Sequence, residues 1–163
     1  MARRIWHAQL ALLLAASALP LPYMGMVYAQ DVRALCARIG TDDRLRGIPP
    51  ALVGKARQIF SFSPVTPSAY VKKSTLFRCM DGKAWLCNYG ANLVCGQANA
   101  SRHSQGAAHF CQENPGSVSV PMAATGHDTI YEWKCAGTKA QISRQVEALD
   151  ARGFLAGNWK QLD

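Results

Sequence analysis

Along residues 31–39, DVRALCARI, apolar side chains recur at Val32, Leu35, Cys36 and Ile39. That i, i+3, i+4, i+7 spacing predicts an amphipathic helix, with Asp31 as its cap and Gly40 as its stop. The next stretch, TDDRLRGIP (41–49), is charged, shows no apolar period and reads as a turn. A second helix is expected from Pro50, a favourable first-turn residue, through Phe60. Its stripe is Leu52, Val53, Ala56, Ile59 and Phe60, with Gly54 as the one unfavourable residue. Residues 61–73, SFSPVTPSAYVKK, read as a proline-punctuated loop.

From Ser74 the apolar period changes to two, which marks strands. Asp81-Gly82 supplies the positive φ angles of a two-residue type I′ turn, so residues 74–88 predict a hairpin with Cys79 opposite Ala84 and Cys87 opposite Leu76. Thr75, Phe77 and Cys79 then share a face with Ala84 and Leu86, while Cys87 lies on the other face with Arg78 and Trp85. The Asn-, Gly- and Ser-rich run 88–106 reads as loop, followed by a short helix over Ser104–Glu113 that Asn114-Pro115 stops. Residues 117–126, SVSVPMAATG, read as an edge strand, because Pro121 interrupts a central one. DTIYEWKC and KAQISRQVEAL predict a second hairpin about Ala136-Gly137-Thr138. A last hairpin is expected at DARG (150–153), with Gly153 in a left-handed position. The fold class that follows is α+β: an antiparallel sheet of five to seven strands built from hairpins, with N-terminal helices, stabilised by disulfides.

The N-terminal residues change what this pattern describes. Arg3 and Arg4 precede an apolar run, Leu10–Leu19, too short to span a bilayer as an ordinary helix, and VYA supplies small or apolar residues before a cut after Ala29. That is the pattern of a secretory signal peptide. The expected organisation is a leader over residues 1–29 and a single domain over 30–163, periplasmic or secreted, with no membrane span after cleavage. Loss of Arg3 and Arg4 lowers the net charge from +8 to +6. The remaining basic residues are dispersed, which favours solubility and weak attraction to anionic partners such as cell-wall polymers or lipid head groups. Export and the lack of a compact basic-aromatic motif argue against nucleic acid. The partner class expected is an unknown protein or an anionic cell-envelope ligand.

Six cysteines, Cys36, Cys79, Cys87, Cys95, Cys111 and Cys135, all follow the leader. An even count in an exported chain predicts up to three disulfides. Zinc sites favour shorter Cys or His spacings than any here, so no metal and no cofactor is expected. The hairpin places Cys79 and Cys87 on opposite faces, so they do not bond to each other. Cys95 with Cys111 is the preferred local bridge, and the rest stay unassigned.

No nucleophile elbow, phosphate loop or His-Glu-x-x-His helix is present, which favours a non-enzymatic protein. The most suggestive patch is ATGHDTIYEWK (124–134), whose Thr125, Gly126, His127, Asp128, Tyr131 and Lys134 form the candidate binding set. It admits two readings: a turn whose Asp and Thr bond to nearby backbone, or a polar cluster that orients a ligand. A third reading, a small hydrolase using His127 with Asp128, meets the objection that neighbouring strand residues point to opposite faces. His103 and His109 read as solvated surface histidines. Trp85, Trp133 and Trp159 fall on predicted strands as core residues.

Taken together, the leader, IGTDDRLRGIP, FRCMDGKAWLC, GANLVCGQAN, GHDTIYEWKC and DARGF resemble a group of small, uncharacterised exported proteins of Gram-negative bacteria, across most of residues 36–160. FRC, Thr125-Gly126 and EWKCAGTKA also resemble the short motifs of periplasmic inhibitors of c-type lysozyme. That second resemblance implies a small antiparallel β-barrel and contact of those motifs with the lysozyme cleft. Thr125 stands where those inhibitors carry serine, and Lys134 is not directly followed by glycine.

Overall fold

The computed structural model describes residues 24–90 and 92–163. The expected leader therefore lies largely outside the described residues. The first helix, α1 (Met24–Ile39), begins before Asp31, so Asp31 is an interior residue and not a cap. Gly40 ends it as expected: it adopts φ 81° and its amide returns to the Cys36 carbonyl at 2.8 Å.

The charged stretch read as a turn is instead strand β1 (Asp42–Gly47), at the edge of a four-stranded sheet. It runs antiparallel to β2 (Thr75–Met80) with a register break between Asp42 and Arg46. A charged, irregular edge limits pairing with other chains, which is why its sequence lacks an apolar alternation. Pro50 opens a 3-10 turn (Pro50–Leu52) that leads into α2 (Val53–Ile59). A second correction follows at 61–73, where α3 (Ser68–Ser74) starts directly after Pro67.

β2 and β3 (Lys83–Asn88) form the expected hairpin, with Cys79 opposite Ala84 and Leu76 opposite Cys87. Asp81 and Gly82 take φ 53° and 73°, and the turn is held onto the end of α1. There Gly82 donates to the Gly40 carbonyl at 2.9 Å and the Asp81 amide donates to the Thr41 hydroxyl at 3.0 Å.

The helix expected over 104–113 is α4 (Gln105–Glu113), capped by the Ser104 hydroxyl, which accepts from the Ala107 amide at 3.1 Å. The expected edge strand at 117–126 does not form. Pro121 instead precedes a single helical turn, α5 (Met122–Thr125). Residues 117–120 still lie beside the second hairpin, where Val120 donates to Trp133 and Cys135 donates to Ser117, both at 2.8 Å. That hairpin is β4 (Tyr131–Ala136) with β5 (Lys139–Gln145). The last expected hairpin is reduced to one bridge, Leu149 with Leu155, although Gly153 does adopt φ 80°. The chain then continues into β6 (Trp159–Gln161), which pairs with β3.

The class is α+β with antiparallel sheets, but the strands divide into two sheets, β1-β2-β3-β6 and β4-β5, in place of one larger sheet. Among the described residues they close no barrel of the kind the inhibitor resemblance implies. The core is likewise divided into three clusters. Helices α1–α3 cover one face of the large sheet through Cys36, Leu52, Ala56, Val71, Phe77 and Leu86. The opposite face carries Cys87, Cys95, Phe154 and Trp159. α4 packs on the small hairpin through Ala107, Cys111, Trp133 and Cys135.

Three disulfides join Cys36 to Cys79, Cys87 to Cys95 and Cys111 to Cys135, one in each cluster. The expected Cys95–Cys111 bridge is thus wrong on both ends. Cys111 lies on the buried stripe of α4 facing β4, and Cys95 folds back over the face of β3 that carries Cys87. The separation of Cys79 from Cys87 holds. Small cores bury little apolar surface each, so a covalent link in each one offsets chain entropy that packing alone leaves uncompensated. No helix among the described residues is long and apolar enough to cross a membrane.

Candidate functional site

The six residues singled out from the sequence do not converge. Thr125, at the end of α5, and Gly126, His127 and Asp128, in the connection to β4, follow one another and are half-buried. Gly126 holds φ 92° and ψ 151°, a region open almost only to glycine. A Cβ there would meet the Asp128 Oδ1 at 2.6 Å, so the carboxylate folds back over this glycine. The connection is anchored on the preceding loop: Asn99 donates to the Asp128 carbonyl at 2.8 Å, and Ile130 donates to the Asn99 carbonyl at 3.2 Å.

His127 Nδ1 is buried without a hydrogen-bond partner, and among the described residues no hydrogen bond links His127 to Asp128 or to a hydroxyl. The relay that a hydrolase would need is not assembled by these side chains. Lys134 is exposed on the outer face of β4, whereas Tyr131 and Trp133 lie on the face toward α4. Thr125 and Lys134, paired by the inhibitor resemblance, stand on different elements and share no hydrogen bond among the described residues.

Tyr131 leads to a different place. The Arg102 guanidinium sits 5.6 Å from its ring centroid, a cation–π distance. Arg102 borders an open groove of about 510 Å³ between α4 and the β4–β5 hairpin. That volume falls within the usual range of ligand pockets. One wall is α4, which turns Gln105, Ala108 and Gln112 into the groove; their i, i+3, i+7 spacing is one helical face. The adjoining stripe, Ala107 and Cys111, is fully buried against the hairpin. The other wall is the turn end of the hairpin, Thr138, Lys139 and Ala140, and Trp133 contributes to the lining between them.

Two features give the groove its character. Its charged lining residues are Arg102 and Lys139, joined by the titratable His103, and no Asp or Glu lines it. Neither Arg102 nor Lys139 makes an ion pair among the described residues, whereas Arg46, Arg78, Arg144 and Arg152 all do. The walls are also fixed relative to each other, because Cys111 of α4 is bonded to Cys135 of β4. Trp133 is 4% exposed, and its indole N–H has no acceptor.

Sequence reasoning missed this site because its walls are more than twenty residues apart in the chain. The available signals were the Ser104 cap and the Gln105, Ala108, Gln112 face beside a buried stripe. His103, read as a solvated surface residue, is exposed and lies at the groove's entrance. Among the described residues no group of three or more His, Cys, Asp or Glu side chains is placed to hold a metal ion.

Support for the groove also depends on how closely α4 approaches α5. A Cβ on Gly106 would overlap the carbonyl of Ala124. Backbone has to move to admit it, so Gly106→Ala is expected to destabilise the fold by about 1–3 kcal/mol despite alanine's better helix propensity. Urea unfolding curves of the two proteins measure the loss. A variant as stable as the parent would show that the α4–α5 contact is loose.

Comparison of the chain with known protein families, curated proteins and solved structures finds no match.

Proposed function

We propose that the chain is a non-enzymatic binding module of an oxidising compartment, periplasmic or secreted, and that the groove between α4 and the β4–β5 hairpin is its binding face. The observation that carries this reading is a pocket-sized concavity whose two walls are locked by a disulfide and whose cations make no ion pair among the described residues. Rigid walls reduce the ordering cost of binding, and unpaired cations at a concave surface raise the local concentration of anions. Three disulfides fit an oxidising location, since such bonds are rare where thiols are kept reduced. The His127 patch supports binding less well, because its residues do not converge: Lys134 lies on the outer face of β4 and Tyr131 on the face toward α4.

The test is site-specific photo-crosslinking in the native compartment. A photoreactive residue replacing Gln112, in the groove, is expected to give discrete adducts. The same residue replacing Lys83, an exposed position at the start of β3, is expected to give none. Equal labelling from both positions, or none from Gln112, would remove the groove as the binding face. Sustained turnover of a defined substrate, abolished by one side-chain change, would remove the non-enzymatic reading itself.

A further inference from the structure

We infer that the groove receives an acidic oligosaccharide, with a carboxylate held by Arg102 and Lys139 and hydroxyls met by the neutral polar groups between them. The inference rests on the groove being the binding face and names the chemistry it selects. Arg102 and Lys139 come from opposite walls, one from the loop entering α4 and one from the start of β5. An anionic group between them is approached from both sides. The Tyr131 ring supports the Arg102 guanidinium, which orders the cation before a ligand arrives. The first turn of α4 opens onto the same space, and its positive dipole end adds to the field.

Charge alone would suit any anion, so the rest of the lining selects among them. Gln105 and Gln112 each offer an amide that both donates and accepts, and Thr138 offers a hydroxyl. Trp133 contributes its buried ring to the floor between these groups. Small Ala108 and Ala140 leave room between these groups. Mixed donors and acceptors beside two cations match a ligand that alternates hydroxyls with carboxylates. An acidic peptide brings carboxylates but few hydroxyls to meet the Gln105, Gln112 and Thr138 side chains. A lipid surface would require large exposed apolar side chains around the groove, and none of its lining residues is one.

The probe is trigalacturonate, with its fully methyl-esterified form as the uncharged control. Hexaglutamate and phosphatidylglycerol vesicles stand for the peptide and lipid sources. Binding is read by calorimetry, with backbone amide shifts to locate it. Trigalacturonate is expected to perturb residues 102–112 and 133–140. Its affinity should fall by about tenfold or more on esterification or in the Arg102→Gln, Lys139→Gln double variant. It should also weaken several-fold from about 50 to about 200 mM salt. Both substituted residues are exposed, so thermal melts of the variants should match the parent and exclude misfolding as the cause. Equal binding of the ester would overturn the role of charge. Tighter binding of hexaglutamate, or vesicle binding lost in the double variant, would overturn the glycan assignment. No binding of any probe, with adducts still forming from Gln112, would overturn the inference while leaving the groove as a binding face.

Discussion

Arg78→Met is expected to destabilise the protein by about 3–5 kcal/mol, the usual cost of removing one partner from a buried ion pair. Arg78 heads the fully buried side chains by volume and is 0% exposed on the second strand of the large sheet. Its guanidinium pairs with Asp150 and lies 3.7 Å from Asp43. It is also stacked 4.0 Å from the Phe154 ring centroid and 4.6 Å from that of Trp159. Asp150 in turn accepts from the amides of Arg152 at 2.8 Å and Phe154 at 3.1 Å, so one carboxylate shapes the loop that brings Phe154 onto Arg78. Arg152 closes the circuit with a two-nitrogen grip on Asp43, at 3.0 and 2.6 Å. Methionine fills similar volume but leaves Asp150 half-buried without its cation. Chemical denaturation at neutral pH measures the loss, and a change under about 1 kcal/mol would show that water or Arg152 replaces Arg78 without difficulty.

The same circuit fixes a pH dependence. Burial alone raises the Asp150 carboxyl, but the Phe154 and Arg152 amides and the Arg78 guanidinium outweigh it and hold the group below its ordinary range. A lowered carboxyl pKa contributes stability that is present above the unfolded value, about 4, and is lost as pH falls through the lower folded value. The gap in stability between the parent and Arg78→Met should therefore narrow as pH falls below about 4, and level off only below the lowered folded value, where Asp150 is protonated in both. Asp150→Asn should flatten the acid limb of the parent in that same window.

Which parts of the molecule the sequence disclosed follows from where local chemistry decides geometry. Asp81-Gly82 can adopt the paired positive φ angles of a tight turn, so every register from Thr75–Asn88 to Met80–Lys83 was readable, and with it the opposite orientation of Cys79 and Cys87. Ser104 with its bond to Ala107 similarly marked the start of α4. Proline misled the reading where it was treated only as a breaker. Pro67 and Pro121 each occupy the residue immediately before a helix, where a missing N–H costs nothing. β1 was invisible because its pairing with β2 is nonlocal and its own side chains, Asp42, Asp43, Arg44 and Arg46, serve ion pairs and solvent instead of an apolar face. The candidate groove was hidden for a related reason. Arg102 and Lys139 gain a shared function only when Cys111 and Cys135 bring α4 against β4, and no local pattern encodes that contact. The choice of Cys95 with Cys111 failed because the chain turns back after β3 and lays Cys95 over the face that carries Cys87, while Cys111 faces β4 from the buried stripe of α4.

Deleting the Cys36–Cys79 bridge as the Cys36→Ala, Cys79→Ala double variant is expected to lower stability by about 4 kcal/mol, with a fall in Tm on the order of 12–20 °C. The two cysteines are 43 residues apart, the longest loop of the three bridges. In the chain-entropy picture the unfolded state gains most when that loop is released. Removal of Cys111–Cys135, 24 apart, should cost about 3.5 kcal/mol and removal of Cys87–Cys95, 8 apart, about 2.5 kcal/mol. All six sulfurs belong to side chains no more than 7% exposed, so lost packing adds a comparable increment to each variant and leaves the ranking intact. The Cys36–Cys79 link has a further role, because it ties the end of α1 to the strand before the Asp81-Gly82 turn, across which Ile48, Leu52 and Leu86 are packed. With that tie cut, α1 should lose amide-exchange protection before the β4–β5 hairpin does. If the three double variants melted at one temperature, loop entropy would not govern their stability. Uniform exchange throughout the chain would show instead that the three small cores unfold as one.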